Sequence, residues 1–186
     1  FTEDGKFNFD ISKYISQFDQ AIIAKKNKKI FGEDYDKIGD INIFYKYIVK
    51  LQSKEILGFK NDFIFLKTHA GLFKIDDNPF TTVNNTRGFI YIVRDPRDVC
   101  ISNAKHNGIS YDESISMMLN SSAYVEWIQK KEDIEFLSNK FVPKTLMGSW
   151  ENHFLSWAFV DWKIPFLVLK YEDLVYEKKE TLKKII

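Results

Sequence analysis

The stretch Gly88-Phe89-Ile90-Tyr91-Ile92-Val93, cut off by Arg94-Asp95-Pro96, constrains this chain more than any other. It is short, continuously apolar, and rich in β-branched and aromatic residues. Such a run predicts a buried strand rather than a half-exposed one, which would alternate. Phe63-Ile64-Phe65-Leu66 and Pro165-Phe166-Leu167-Val168-Leu169 read the same way. Strands of this kind suit a parallel sheet covered on both faces.

Helical periodicity fills much of the rest. Ile41, Phe44, Ile48, Leu51 and Leu57 mark one face of a helix across 40–57. Tyr124, Trp127, Ile128 and Ile134 mark part of a second, and Phe154, Trp157 and Ala158 a third. Strands alternating with helices predict an α/β fold, a central parallel sheet flanked by helices. Asp76-Asp77-Asn78-Pro79 and the segment Thr81 to Gly88 read as exposed turns. No internal repeat, low-complexity tract or strong domain boundary interrupts the chain.

Bulk properties narrow the functional classes. With 186 residues the chain is long enough for one domain with a sizeable core. A formal net charge of +1 leaves no global basic field for nucleic acid or an anionic membrane, so any anion site must be local. Cys100 is the only cysteine, which excludes an intrachain disulfide and fits a cytoplasmic location. His69, His106 and His153 with that cysteine do not have metal-ligand spacing, so no metal is expected. No apolar run is long enough to span a membrane. The chain starts at Phe1 and stops at Ile186 inside an amphipathic pattern. We therefore read residues 1–186 as a single domain truncated at both ends.

Open α/β sheets bind ligands beyond the carboxyl ends of their strands. All three runs lead into a cation there: Lys67-Thr68-His69, Arg94-Asp95-Pro96-Arg97-Asp98 and Lys170-Tyr171-Glu172-Asp173. That convergence suits an anionic, nucleotide-like ligand. Asp95 reads as a helix N-cap and Pro96 as the first helical residue, with the helix running towards His106. Ser102 falls one turn beyond Asp98. A forked guanidinium, a hydroxyl and the amides of a helix start can share a phosphate. The plainer reading is that Arg94 pairs with Asp98 or Asp173 and that Ser102 bonds back to its own helix.

"YIVRDPRDVCIS", residues 91–102, closely resembles the 3′-phosphate-binding segment of the sulfotransferases that use 3′-phosphoadenosine-5′-phosphosulfate (PAPS). "LKTHAGLF" (66–73) resembles that family's lysine-threonine-histidine segment. "GSWENHFLSW" (148–157) resembles its glycine-serine-tryptophan-x-x-histidine helix start, and "FLVLKYEDL" (166–174) its strand ending in tyrosine-glutamate-aspartate. The four occur in family order. The resemblance implies a P-loop-nucleotide-hydrolase-like sulfotransferase fold and transfer of a sulfuryl group from PAPS to an acceptor hydroxyl or amine. It implies His69 as the base, Arg94 and Ser102 on the 3′-phosphate, and Tyr171 near the adenine. Lys67 lies two residues from His69 on an extended chain, where it can stabilise charge on the transferring group. The acceptor would be a small molecule or a carbohydrate, and a homo-oligomer is compatible with the sequence. Trp150 and His153 read as supports, Arg97 and Asp98 as cap and surface residues. His106 has no assigned role, and Cys100 reads as an inert residue facing the helix interior.

The family's lysine-serine-glycine-threonine-threonine-tryptophan loop, which cradles the 5′-phosphosulfate, has no counterpart. Gly5-Lys6 is followed by Phe7 and lacks the upstream glycine of a Walker pattern. The family's C-terminal arginine-lysine-glycine segment is missing too. We expect both to lie outside residues 1–186. The stretch Asn107 to Met147, with Lys130-Lys131-Glu132-Asp133, matches no motif and corresponds to the part that shapes the acceptor site. Two other readings compete: a non-catalytic nucleotide-binding or oligomerising module of the same fold, and a P-loop kinase of related architecture.

Overall fold

The computed structural model describes residues 23–24, 26–58, 62–126 and 142–185. It divides into two compact units, one of residues 1–69 with 126–144, the other of residues 70–125 with 145–186.

In the first unit the main element is helix α1, Ile41–Leu51. Asp40 caps it, its carboxylate accepting from the Asn42 amide at 2.8 Å. Phe44, Tyr45, Ile48 and Leu51 are buried, a stripe at helical spacing. Phe44 packs with Phe31, whose ring lies 6.4 Å from Phe44 and 4.9 Å from Tyr47. The helix expected over 40–57 is broken. It ends at Leu51, and a one-turn helix α2, Lys54–Leu57, follows and stops at Gly58 with φ +66°. Ser53, in extended geometry, makes the break.

The expected strand Phe63–Leu66 is not formed. The chain there is irregular apart from an isolated β-bridge at Lys67, and Phe63 and Phe65 are 53% and 69% exposed. Their rings meet edge to face at 5.6 Å. The apolar run reads as a strand, but a strand needs a ladder partner as well as an apolar sequence.

The second unit carries β1 (Lys74–Ile75), β2 (Asn78–Pro79), β3 (Phe89–Val93), α3 (Pro96–Asn107) and α4 (Tyr111–Leu119). It continues with β4 (Tyr124–Glu126) and β5 (Lys144–Leu146), which reach the boundary between the units. α5 (Trp150–Ala158), β6 (Phe166–Lys170), α6 (Tyr171–Tyr176) and α7 (Lys178–Lys183) complete it. β1 and β2 form an antiparallel hairpin, and β4 pairs with β5. β3 and β6 are parallel, with Phe89 opposite Phe166 and Val93 opposite Lys170. Parallel neighbours require a crossover, and the helices between them supply it. The α/β fold with a parallel pair and flanking helices is thus the observed one.

Three details depart from expectation. β3 is covered on one face: Phe89 and Tyr91 pack on α5, whereas Ile90 and Ile92 are 41% and 53% exposed. Tyr124 belongs to strand β4, not a helix, because the turn at Ser121-Ser122 ends the helical chain first. Trp127, Ile128, Ile134, the Lys130–Asp133 run, Gly5 and Lys6 lie outside the described residues. Thr81, expected in an exposed turn, is 5% exposed and shares a hydrogen bond with Thr86 at 3.0 Å.

Candidate functional site

The site is built where β3 meets α3. Gly88 lets β3 start against β6: a Cβ there would stand 2.7 Å from the Pro165 carbonyl oxygen. The strand ends at Val93, so Arg94 emerges at its carboxyl end. Asp95 then caps α3, Pro96 takes the first helical position, and Gly108 closes the helix with φ +65°.

The five residues Arg94 to Asp98 sort into two ion pairs of unequal strength. Arg97 grips Asp95 with Nε at 3.0 Å and Nη2 at 2.6 Å, while its amide donates to the same carboxylate at 2.9 Å. These bonds hold the Asp95 carboxyl down at about 2, the side-chain bond from Arg97 first and its amide second. Arg94 meets Asp98 at only 3.5 Å. That is one long contact, the ion pair of the plainer reading in a weak form. Arg94 Nε is buried and has no hydrogen-bond partner. An orphaned guanidinium N–H costs free energy unless something accepts from it.

Tyr171 supplies the floor. It follows Lys170, which lies opposite Val93 in the sheet, so Tyr171 and Arg94 leave the two strands side by side. The Arg94 guanidinium sits 4.6 Å from the Tyr171 ring centroid, a cation–π contact. The structure therefore brings together two of the five residues singled out in the sequence. Ser102 is exposed on α3, one turn past Asp98. Lys67 and His69 are exposed and belong to the first unit.

One expectation needs refinement. The start of α3 offers fewer amides to an anion than its position promises. Pro96 has none, the Arg97 amide is taken by the Asp95 side chain, and the Val99 amide by the Asp95 carbonyl. Arg94 is the principal donor here. A 3′-phosphate of PAPS fits this site: the buried Arg94 N–H lacks an acceptor, and a phosphate oxygen is one.

Other side chains were missed or undervalued. Glu172 Oε1 is buried without a hydrogen-bond partner, although its place in Tyr-Glu-Asp drew attention only to the tyrosine. Tyr91 and His153 join β3 to α5 by a hydrogen bond of 2.9 Å between the phenol oxygen and Nδ1. Burial pushes the Tyr91 hydroxyl up to about 12. His153 thus ties α5 to β3. Arg97 and Asp98 are cap and surface residues, as expected, and His106 is exposed. Cys100 is half-buried, its Sγ 3.8 Å from the Tyr111 carbonyl oxygen. Among the described residues no group of three or more histidines, cysteines and carboxylates could hold a metal ion, and no helix is long and apolar enough to cross a membrane.

Comparison with known proteins follows the same line. Residues 11–186 match the family model described as the sulfotransferase domain, and the chain belongs to that family. It is similar to mouse Sulfotransferase 2A1, with 32% identity over 99 residues. Rat Sulfotransferase 2A1 is 34% identical over 97 residues. Each alignment covers 52% of this chain and 29% of the relative's length.

Proposed function

We propose that this chain is the nucleotide- and base-bearing part of a sulfotransferase. It would carry a sulfuryl group from PAPS to the hydroxyl or amine of a small-molecule or carbohydrate acceptor. Residues 1–186 act as one sulfotransferase domain in this reading. The observation that carries it is Arg94: a guanidinium at the end of a parallel strand, stacked on Tyr171, weakly paired, with a buried N–H awaiting an acceptor.

Bound PAPS supplies an activated sulfuryl group whose leaving partner is a phosphate. The chain's own residues do the rest. Arg94 holds the 3′-phosphate through Nε and a terminal nitrogen, and Ser102 adds a hydroxyl from α3. Tyr171 fixes the plane of the guanidinium and presents its free edge towards the purine. His69 takes the proton from the acceptor's hydroxyl or amine on an imidazole nitrogen, since an imidazole titrates near neutrality. Lys67, two residues away on extended chain, stabilises charge on the transferring group.

The test is transfer of labelled sulfuryl from PAPS to a panel of phenols, alcohols, amines and saccharides. We expect turnover with at least one acceptor class, its loss in His69→Ala, and unchanged nucleotide affinity in that variant. Turnover surviving in His69→Ala would assign the base elsewhere. Nucleotide binding without transfer to any acceptor would favour a non-catalytic binding module.

A further inference from the structure

We infer that Trp157 and Ser156 are positioning residues that fix the backbone leaving His69, an inference that rests on the reading of His69 as the base. The three residues after His69 are each tied down. The Ala70 carbonyl accepts from the Trp157 indole N–H at 2.9 Å. The Gly71 amide donates to the Leu146 carbonyl at 3.1 Å. The Leu72 amide donates to the Ser156 hydroxyl at 3.0 Å, and that hydroxyl donates in turn to the His153 carbonyl at 2.8 Å.

The contrast with His69 is sharp. Ala70 is 1% exposed and Trp157 6% exposed, whereas His69 is exposed. The chain passes from an exposed position into a buried one within a single peptide unit. The path just beyond is also tightly packed: a Cβ on Gly71 would collide with the Phe73 ring. A base must bring one nitrogen within hydrogen-bond reach of its proton, and small misplacements are costly. Anchoring the adjacent peptide removes the backbone part of that freedom.

The indole is more than filler. Its ring packs on Phe89 of β3 at 5.0 Å, a contact that phenylalanine could also make. What tryptophan adds is a donor that can serve only one purpose. Helix α5 thus refers the residues after His69 to β3, the strand that ends in Arg94. Tyr91 and His153 make a second tie between the same strand and helix.

Trp157→Phe keeps the aromatic packing and removes the N–H; Ser156→Ala is a second, smaller lesion. Histidine-ring NMR titration, with the His69 signal assigned by its loss in His69→Ala, reads the imidazole directly. Amide exchange at Gly71 and Leu72 reads the anchor. We expect both variants to move the His69 titration, speed exchange at those amides, and leave His106 unchanged. kcat should fall ~10- to 100-fold with affinity for adenosine 3′,5′-bisphosphate preserved. An unmoved His69 titration in both variants would overturn the inference. So would a joint loss of His69, His106 and nucleotide signals, which means general unfolding. If the parent transfers no sulfuryl group, the proposed function fails, and the His69 and amide readouts still decide the anchoring.

Discussion

At the scale of single residues, the unequal pairing of Arg94 to Asp98 matters most. Two arginines and two aspartates sit within five positions, and the sequence alone leaves Arg94 to pair with Asp98 or Asp173. The structure gives Asp95 to Arg97 and leaves Arg94 with a single contact at 3.5 Å. Arg94→Ala should therefore weaken 3′-phosphorylated adenosine ligands by several-fold to about 100-fold, about 1–3 kcal/mol for a charge-assisted contact. Isothermal calorimetry checks this; an unchanged Kd would remove Arg94 from the site. Tyr171→Phe should bind like the parent, because a ring is what the guanidinium needs, whereas Tyr171→Ala should lose affinity. What was legible in the sequence was the Tyr-Glu-Asp motif that singled out Tyr171. Its contact with Arg94 was not, because that depends on the register that sets Val93 opposite Lys170.

Asp95 gives a pH prediction at the same scale. Its carboxyl is depressed from 3.8 to about 2, chiefly by the Arg97 side chain. A depressed carboxylate stabilises the folded state above its unfolded value and stops doing so as pH falls through its folded one. The contribution of this cap should therefore be whole above about pH 4 and fade towards about pH 2. Acid melts of Asp95→Asn against the parent check it. The variant should lack this part of the acid sensitivity; identical acid profiles would mean the cap is not ionised in the way described.

At the scale of elements, the informative join is β3 with α5. Tyr91 and His153 hold it by one hydrogen bond, and Phe89 and Trp157 by ring packing. Tyr91→Phe should cost about 1 kcal/mol, the ordinary value of a net hydrogen bond. Because burial raises the Tyr91 hydroxyl from 10 to about 12, the folded state holds that proton more tightly than the unfolded chain does. Its stabilisation is complete below pH 10 and is lost as pH rises through about 12. An alkaline melt that is the same in parent and Tyr91→Phe would contradict this. Gly148 precedes α5 at φ +72°, with the Phe73 ring 2.7 Å from where a Cβ would sit. Gly148→Ala should destabilise by roughly 1–3 kcal/mol through backbone strain and overpacking. Chemical denaturation measures it, and a loss below half a unit would show that Phe73 moves aside.

Helix α3 and strands β3 and β6 were legible because each carries its own local signal. An Asp-Pro cap marks the helix start, and a short β-branched run ends in a cation. The failures have a common cause. Phe63–Leu66 has the same composition as β3, but pairing decides whether such a run becomes a strand. The break at Ser53 and the strand at Tyr124 likewise reflect local turns overriding a weak apolar period. Ile90 and Ile92, expected to be buried, are exposed among the described residues.

At the scale of the whole molecule, four short motifs in order placed the chain in its family, and the family match over residues 11–186 agrees. The aligned relatives share about half of this chain and less than a third of their own length with it. The central proposal is that Arg94 reads a 3′-phosphate. The most direct test is calorimetric titration of the chain with adenosine 3′,5′-bisphosphate, with AMP and ATP as controls and Arg94→Ala in parallel. The account predicts tighter binding of the bisphosphate than of either control, with that advantage lost in Arg94→Ala. Equal binding of the bisphosphate and AMP, or an advantage that survives the substitution, would contradict it.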